Sequence, residues 1–184
     1  MLRMVGVVGV VLVAVAGCAG GSPGGQAAPP PTTAVAVDVW ADHAEPAASA
    51  APVPCGMPIG FDIAAGATAT PPGDDQRDGL DPVCQVKGAG ELRVWTGAAM
   101  TPRAALDKVL AGEGPITDPR YRDTKVGKGD GVEVTYVNDK GVRGRAFAMA
   151  TTLRSVVVAA SGADFDKVAP EYLLAKQSLT PIER

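Results

Sequence analysis

Nucleophilic, acid–base and metal chemistry need particular residue types at particular spacings, and this chain of 184 residues is sparing with them: three Cys, one His and 20 Asp plus Glu. His43, the only histidine, sits in a Pro- and Ala-rich stretch, which removes most histidine-dependent acid–base and triad designs. From Cys55 onward there is no G-x-S-x-G elbow, no H-E-x-x-H pair, no P-loop and no S-x-x-K, and Ser161 reads as a strand-end residue. Two loops carry suggestive letters. In "DDQRDGLD", residues 74–81, Asp74, Gln76, Asp78 and Gly79 align with the first, third, fifth and sixth positions of a calcium loop, but Gln85 stands where the bidentate glutamate belongs. A solvated loop is the better reading. "GKGDG", residues 127–131, precedes a strand rather than a helix N-terminus able to receive an anion, and reads as a connection. Isolated carboxylates such as Glu133 or Asp164 are what a hydrolase would have to use. No catalytic residue, metal site or cofactor is expected.

Cys18 stands apart from this inventory because of what precedes it. Arg3 supplies a minimal positive region, and residues 4–16 are apolar apart from two glycines, with no charge. That run is too short for a membrane span, which needs about 20 apolar residues, and it is followed by small residues, as a cleavable secretory signal is. Val15, Ala16, Gly17 and Cys18 together resemble the bacterial lipoprotein box. The resemblance implies that the Cys18 thiol takes a diacylglyceryl group, that a signal peptidase cuts after Gly17, and that Cys18 becomes the lipidated first residue on the extracytoplasmic face of the cell membrane. Two acyl chains anchor stably where one binds only marginally. With Cys18 assigned to lipid, Cys55 and Cys84 remain as an even pair in an oxidising compartment, for which a disulfide is expected. A two-cysteine metal site is the alternative, and it lacks evident partners.

Net charge is −3 and no basic patch emerges, which disfavours nucleic acid and charge-driven adhesion to an anionic surface. The 16 Pro and 23 Gly concentrate before the middle of the chain. The organisation that follows is a signal peptide at 1–17, a lipidated Pro/Gly/Ala-rich tether at 18–54, and a single domain at 55–184. "AVAVDVWADH", residues 34–43, interrupts the tether with Val35, Val37, Val39 and Trp40. It reads as a segment docking on the domain, a partner-binding stretch within the spacer, or a loose apolar patch.

Within the domain, residues 56–64 and 84–96 read as strands bounded by Gly and Pro, with residues 70–82 as a loop. The period then changes: Thr101 as N-cap, Pro102 at the first helical position, Leu106, Val109 and Leu110 on one face and Gly112 as the stop define a helix. Three strands at 131–138, 142–152 and 155–161 are joined by turns short enough for an antiparallel meander. Residues 164–179 complete the pattern as a helix that Pro170 must start or kink. Gly144, Ala146, Ala148 and Ala150 share one face of the middle strand, leaving room for a helix, while Phe147 and Met149 share the other. Residues 156–160 are apolar on both faces, so their strand belongs at the centre. The fold class expected is α+β, an antiparallel β-sheet covered by helices on both faces.

"LRVWTG", "TPRAALDKVL", "VEVTY", "RGRAFAMATTLRSVVVAASGADFD" and "YLLAKQSL" together resemble the actinobacterial, mycobacterial-type envelope lipoproteins whose domain is similar to the PsbP-like fold. The resemblance implies an accessory or binding protein rather than an enzyme. Trp95 shares a strand face with Arg93, and is either core or part of a groove with Phe147 and Met149. Arg143 and Arg145, on the Phe147 side, would then rim a groove suited to an amphiphile with an anionic head. The expected function is a membrane-anchored, non-enzymatic binding domain for an envelope protein or an apolar envelope molecule. A carboxylate-dependent hydrolase and a structural lipoprotein without ligand are the alternatives, and burial of Trp95 would favour the last.

Overall fold

The apolar strands within residues 131–161 set the centre of the molecule, because each must bury one or both faces. The computed structural model describes residues 40–55 and 59–181. Cys18 and the signal segment lie outside them. The chain runs β1 (Ser49–Pro54), β2 (Ile59–Ala64), β3 (Thr68–Thr70), β4 (Leu80–Lys87), β5 (Glu91–Ala98), α1 (Pro102–Ala111), β6 (Ile116–Val126), β7 (Gly129–Asn138), β8 (Arg143–Ala150), β9 (Arg154–Gly162), α2 (Phe165–Ser178) and β10 (Thr180–Pro181). All paired strands are antiparallel, in a seven-stranded sheet of order β3-β4-β5-β9-β8-β7-β6 and a three-stranded sheet of order β1-β2-β10.

The doubly apolar strand is central: β9 lies between β5 and β8 and is buried from Ser155 to Ala160. α1 begins as its caps dictate, with Thr101 Oγ1 accepting from the Ala104 N–H at 3.3 Å, Pro102 in the first turn and Gly112 as C-cap. Its Ala105, Leu106, Val109 and Leu110 bury against Ala146, Ala148, Val157 and Ala159, where small side chains admit the helix. α2 covers the other face. It packs on β9 and on β2, so that Phe61 and Ile59 share a core with Phe147, Met149, Val158 and Tyr172. Val168 reaches the sheet only because Gly90 and Gly162 lack side chains: a Cβ there would lie 2.4 Å and 2.8 Å from Val168 Cγ2.

Two elements depart from the sequence expectation. β6 carries no strand signal in the sequence, because "ITDPRYRDTKV" is polar and exposed along most of its length and shows no apolar alternation. It is an edge strand, and Pro119 falls where the pairing register shifts between Thr117 and Arg120, a device that discourages further strand addition. Ser49–Pro54, placed in the tether by composition, forms β1 against β2. The turn at Gly127, with φ of 54°, closes the tight hairpin between β6 and β7, which accounts for the glycines of "GKGDG".

Cys55, just past β1, and Cys84, on β4, are joined by a disulfide with Cα atoms 5.3 Å apart, linking the small sheet to the large one. Both cysteines are buried. The loop they close has a sequence separation of 29. Replacing both by serine should lower unfolding free energy by about 3 kcal/mol, read as a lower urea midpoint with an unchanged far-ultraviolet circular dichroism spectrum. A midpoint within error of the wild type would show that the bridge does not hold the sheets together.

Candidate functional site

Register decides which side chains meet. On the α2 face, directly opposed residues form one row across the large sheet: Cys84, Val94, Val158, Phe147, Glu133 and Arg122. On the α1 face the neighbouring row is Trp95, Val157, Ala148 and Val132. Trp95 and Phe147 therefore lie on opposite faces. The expected groove of Trp95, Arg93, Phe147 and Met149 does not form: Trp95 and Phe147 are each fully buried in separate cores. Counting strand parity within one strand cannot say which face of the next strand it shares, and that is where the expectation failed. Arg143 and Arg145 do share the Phe147 side, but Arg145 is fully buried and Arg143 pairs with Asp166 at 3.6 Å beside the Phe165 ring.

The α1 side carries a salt-bridged rim around Trp95. Arg93 donates to Asp75 Oδ2 at 2.9 Å and to both Glu113 oxygens at 2.7 Å and 2.9 Å, and Arg77 donates to Glu113 Oε1 at 3.1 Å. The two guanidinium groups lie 5.5 Å and 5.3 Å from the Trp95 ring, whose Nε1 donates to the Asp75 carbonyl at 2.8 Å. Beside them is a shallow cleft of about 230 Å³ lined in part by Asp74, Asp75, Gln85, Glu91 and Arg93. Three of the four carboxylates of the 74–81 loop have partners within the chain: Asp75 pairs with Arg77 and Arg93, Asp78 with Lys108, and Asp81 with Gln76. Among the described residues no group of three or more metal-ligating side chains converges.

The α2 side carries the more unusual constellation. Glu133, fully buried on β7, faces donors from three elements. Its Oε1 accepts from Arg145 Nε at 2.7 Å and from the Tyr172 hydroxyl at 2.6 Å; its Oε2 accepts from Arg122 Nε and from Lys176 Nζ, each at 2.9 Å. Tyr172 and Lys176 are four residues apart on α2 and so present to the same carboxylate. Burial pushes the Glu133 carboxyl up, but Arg145, Lys176 and Tyr172 outweigh it and hold it below the ordinary carboxylate value. Burial, reinforced by Glu133, raises the Tyr172 hydroxyl well above its usual range, so it stays a donor.

A second carboxylate lies outside the first. Asp42 accepts from Arg122 Nη1 at 2.5 Å and Nη2 at 2.8 Å, and from Arg145 Nη2 at 3.2 Å. Chiefly through the Arg122 hydrogen bond, its carboxyl is held down to about 2. Trp40 lies against Arg122, with 4.0 Å from the guanidinium carbon to the ring centroid. Residues 40–48 thus dock on the domain. Ala41 is fully buried, and the Ala47 N–H donates to the Pro170 carbonyl at 2.9 Å. In the sequence expectation Glu133 and Arg145 have other roles, a hydrolase carboxylate and a groove rim. Their partnership was recoverable by counting outward from the 138–141 turn, which sets Thr135 opposite Arg145 and Glu133 opposite Phe147. Asp164, the other proposed catalytic carboxylate, pairs with Lys167 at 3.0 Å instead.

A two-helix, antiparallel α+β domain stapled by a disulfide, with an ion-paired strap and its buried carboxylate fully engaged, is the class that these features define. The chain belongs to the family described as uncharacterised lipoprotein, whose model matches residues 30–179. No curated protein matches it. Among solved structures it is similar to the solution structure of cyanobacterial PsbP (CyanoP) from Synechocystis sp. PCC 6803, at 11% identity and a TM-score of 0.49, over 67% of this chain and 86% of that one.

Removing the Glu133 charge leaves three cations facing one another in a buried site. Glu133→Gln should cost about 3–5 kcal/mol of stability. Because the native carboxyl titrates below its unfolded value of 4.5, its contribution is present above that pH and lost as pH falls through the native value. Urea midpoints measured from pH 7 down to pH 3 should fall steeply for the wild type and less steeply for Glu133→Gln. Parallel pH profiles would contradict this role.

Proposed function

We propose that the protein is a lipid-anchored accessory domain of an actinobacterial-type cell envelope, held on the extracytoplasmic face of the membrane through Cys18 and acting by binding a partner protein rather than by catalysis. The observation that carries this reading is membership of a lipoprotein family in a chain whose Cys18 directly follows an apolar, uncharged run. No helix among the described residues is long and apolar enough to cross a membrane. In this reading residues 1–17 are removed, and the segment between Cys18 and the docked residues serves as the spacer.

The site chemistry supports binding over catalysis. Glu133 is buried with both oxygens engaged by four donors, which leaves it without a lone pair directed at a substrate. The apolar side chains of the expected ligand groove are core, which removes the support that groove would have lent to an apolar ligand. Complete burial of Trp95 also favours a second reading, a structural envelope lipoprotein with no ligand. Cys18→Ala should leave an uncleaved precursor lacking the diacylglyceryl mass in the source bacterium, read by intact-mass spectrometry of the membrane fraction. Normal processing and lipid attachment in that variant would overturn the anchor. Native mass spectrometry of the full chain separates the two readings: a stoichiometric bound protein supports the accessory role, and bare chain alone supports the structural one.

A further inference from the structure

The outer half of the Glu133 cluster is built like a receptor whose occupant is part of the same chain. Arg122 presents its guanidinium fork to both oxygens of Asp42, and Arg145 adds a third hydrogen bond from behind. This is the geometry by which arginine recognises carboxylates and phosphates. Each of the two arginines has a partner besides Asp42. Arg145 is locked by Glu133 and by the Tyr172 ring 4.9 Å away, and Arg122 is held by Glu133 from the strand opposite. With Asp42 withdrawn, the Glu133 hydrogen bonds to both arginines are still available to hold them.

Charge points the same way. Arg122, Arg145 and Lys176 face only Glu133 and Asp42 among the described residues, so three positive groups are met by two carboxylates. Arg145 Nη1, on a fully buried side chain, makes no hydrogen bond there. With Asp42 withdrawn, two positive charges are uncompensated, which a phosphate dianion would match better than a carboxylate does. Access does not require opening the core: the Asp42 side chain is 51% exposed and Arg122 is 31% exposed, while Glu133 forms the closed floor.

We propose that Arg122 and Arg145, backed by Lys176, form a binding site for a phosphate monoester, and that Asp42 of the docked 40–48 segment is its resident intramolecular competitor. Binding of the phosphate group displaces Asp42 and releases Trp40 from Arg122. Because Asp42 is tethered, an external ligand competes against a high effective concentration, and affinity in the wild type is correspondingly reduced. The site does not depend on lipid attachment at Cys18.

The chain has two tryptophans, and Trp95 is fully buried on the opposite face of the sheet, so a change in emission on strap release reports Trp40. In the full chain in detergent micelles, inorganic phosphate should shift tryptophan emission where sodium chloride of equal ionic strength does not. Calorimetry should show Asp42→Asn binding inorganic phosphate about tenfold more tightly than the wild type, with Arg122→Gln in the Asp42→Asn background abolishing the gain. Dihexanoyl phosphatidic acid, titrated in parallel, distinguishes the source: preference for it over inorganic phosphate identifies a lipid headgroup, and equal binding identifies a free phosphate or soluble phosphoester. No phosphate-specific emission change in the wild type overturns the proposal, even should Asp42→Asn fail to fold. Equal phosphate affinity in wild type and a folded Asp42→Asn overturns it as well.

Discussion

One buried carboxylate ties together more of this molecule than any other group. Glu133 carries a full negative charge into the interior, where an unpaired ion is prohibitively costly, and every neighbour that offsets the cost comes from a different part of the chain. Arg122 brings the edge strand β6, Arg145 brings β8, and Tyr172 with Lys176 brings α2. The two arginines then recruit Asp42 from the N-terminal segment. The polar centre specifies register where apolar packing alone would tolerate slippage: a shift of one residue in β7 would turn Glu133 toward the alanine-rich α1 face and strand three cations behind it.

The two faces of the large sheet are held by different physics. Under α1, small residues on β8 and β9 let the helix approach closely, and the polar groups form a rim of Arg77, Arg93, Asp75 and Glu113 above a buried Trp95. Under α2, large apolar side chains from both sheets meet, and the ionic cluster closes one end of that core. The cross-sheet row running from Cys84 through Phe147 to Arg122 places a covalent link at one end and an ion-pair network at the other. The disulfide adds a covalent link to the small sheet, whose Ile59 and Phe61 already pack beneath α2, and the ion-pair network holds the strap.

The elements with strong local signals were legible in the sequence. Thr101, Pro102 and Gly112 delimit α1 by capping chemistry that owes nothing to tertiary context, and the apolar run at 156–160 identifies a central strand because nothing else could bury both of its faces. What failed to show were elements whose stability is borrowed. β6 is polar and holds its place through pairing with β7 and through Arg122; β1, drawn from a Pro- and Ala-rich stretch, holds through pairing with β2 beside the disulfide. The groove expectation failed at a specific step, since alternation is exact within a strand but carries no information across β9 without the register. The Glu133–Arg145 pair lay one hairpin count away, and was missed because a glutamate in an apolar strand was weighed as an acid or base rather than as the acceptor for charges on the neighbouring strand.

That difference in role is also what separates a catalytic carboxylate from this one. A general base needs a free lone pair, access to its substrate and a proton affinity near the working pH. Glu133 has its oxygens engaged by four donors, is closed to solvent and is held below the ordinary carboxylate value by the surrounding cations. The same neighbours that disable it as a base make it an effective organiser. By fixing Arg122 and Arg145 from within, it leaves further nitrogens of both free to meet a second carboxylate, Asp42, which is half exposed, and two guanidinium groups held by one acceptor while donating to another suit recognition of an anionic group.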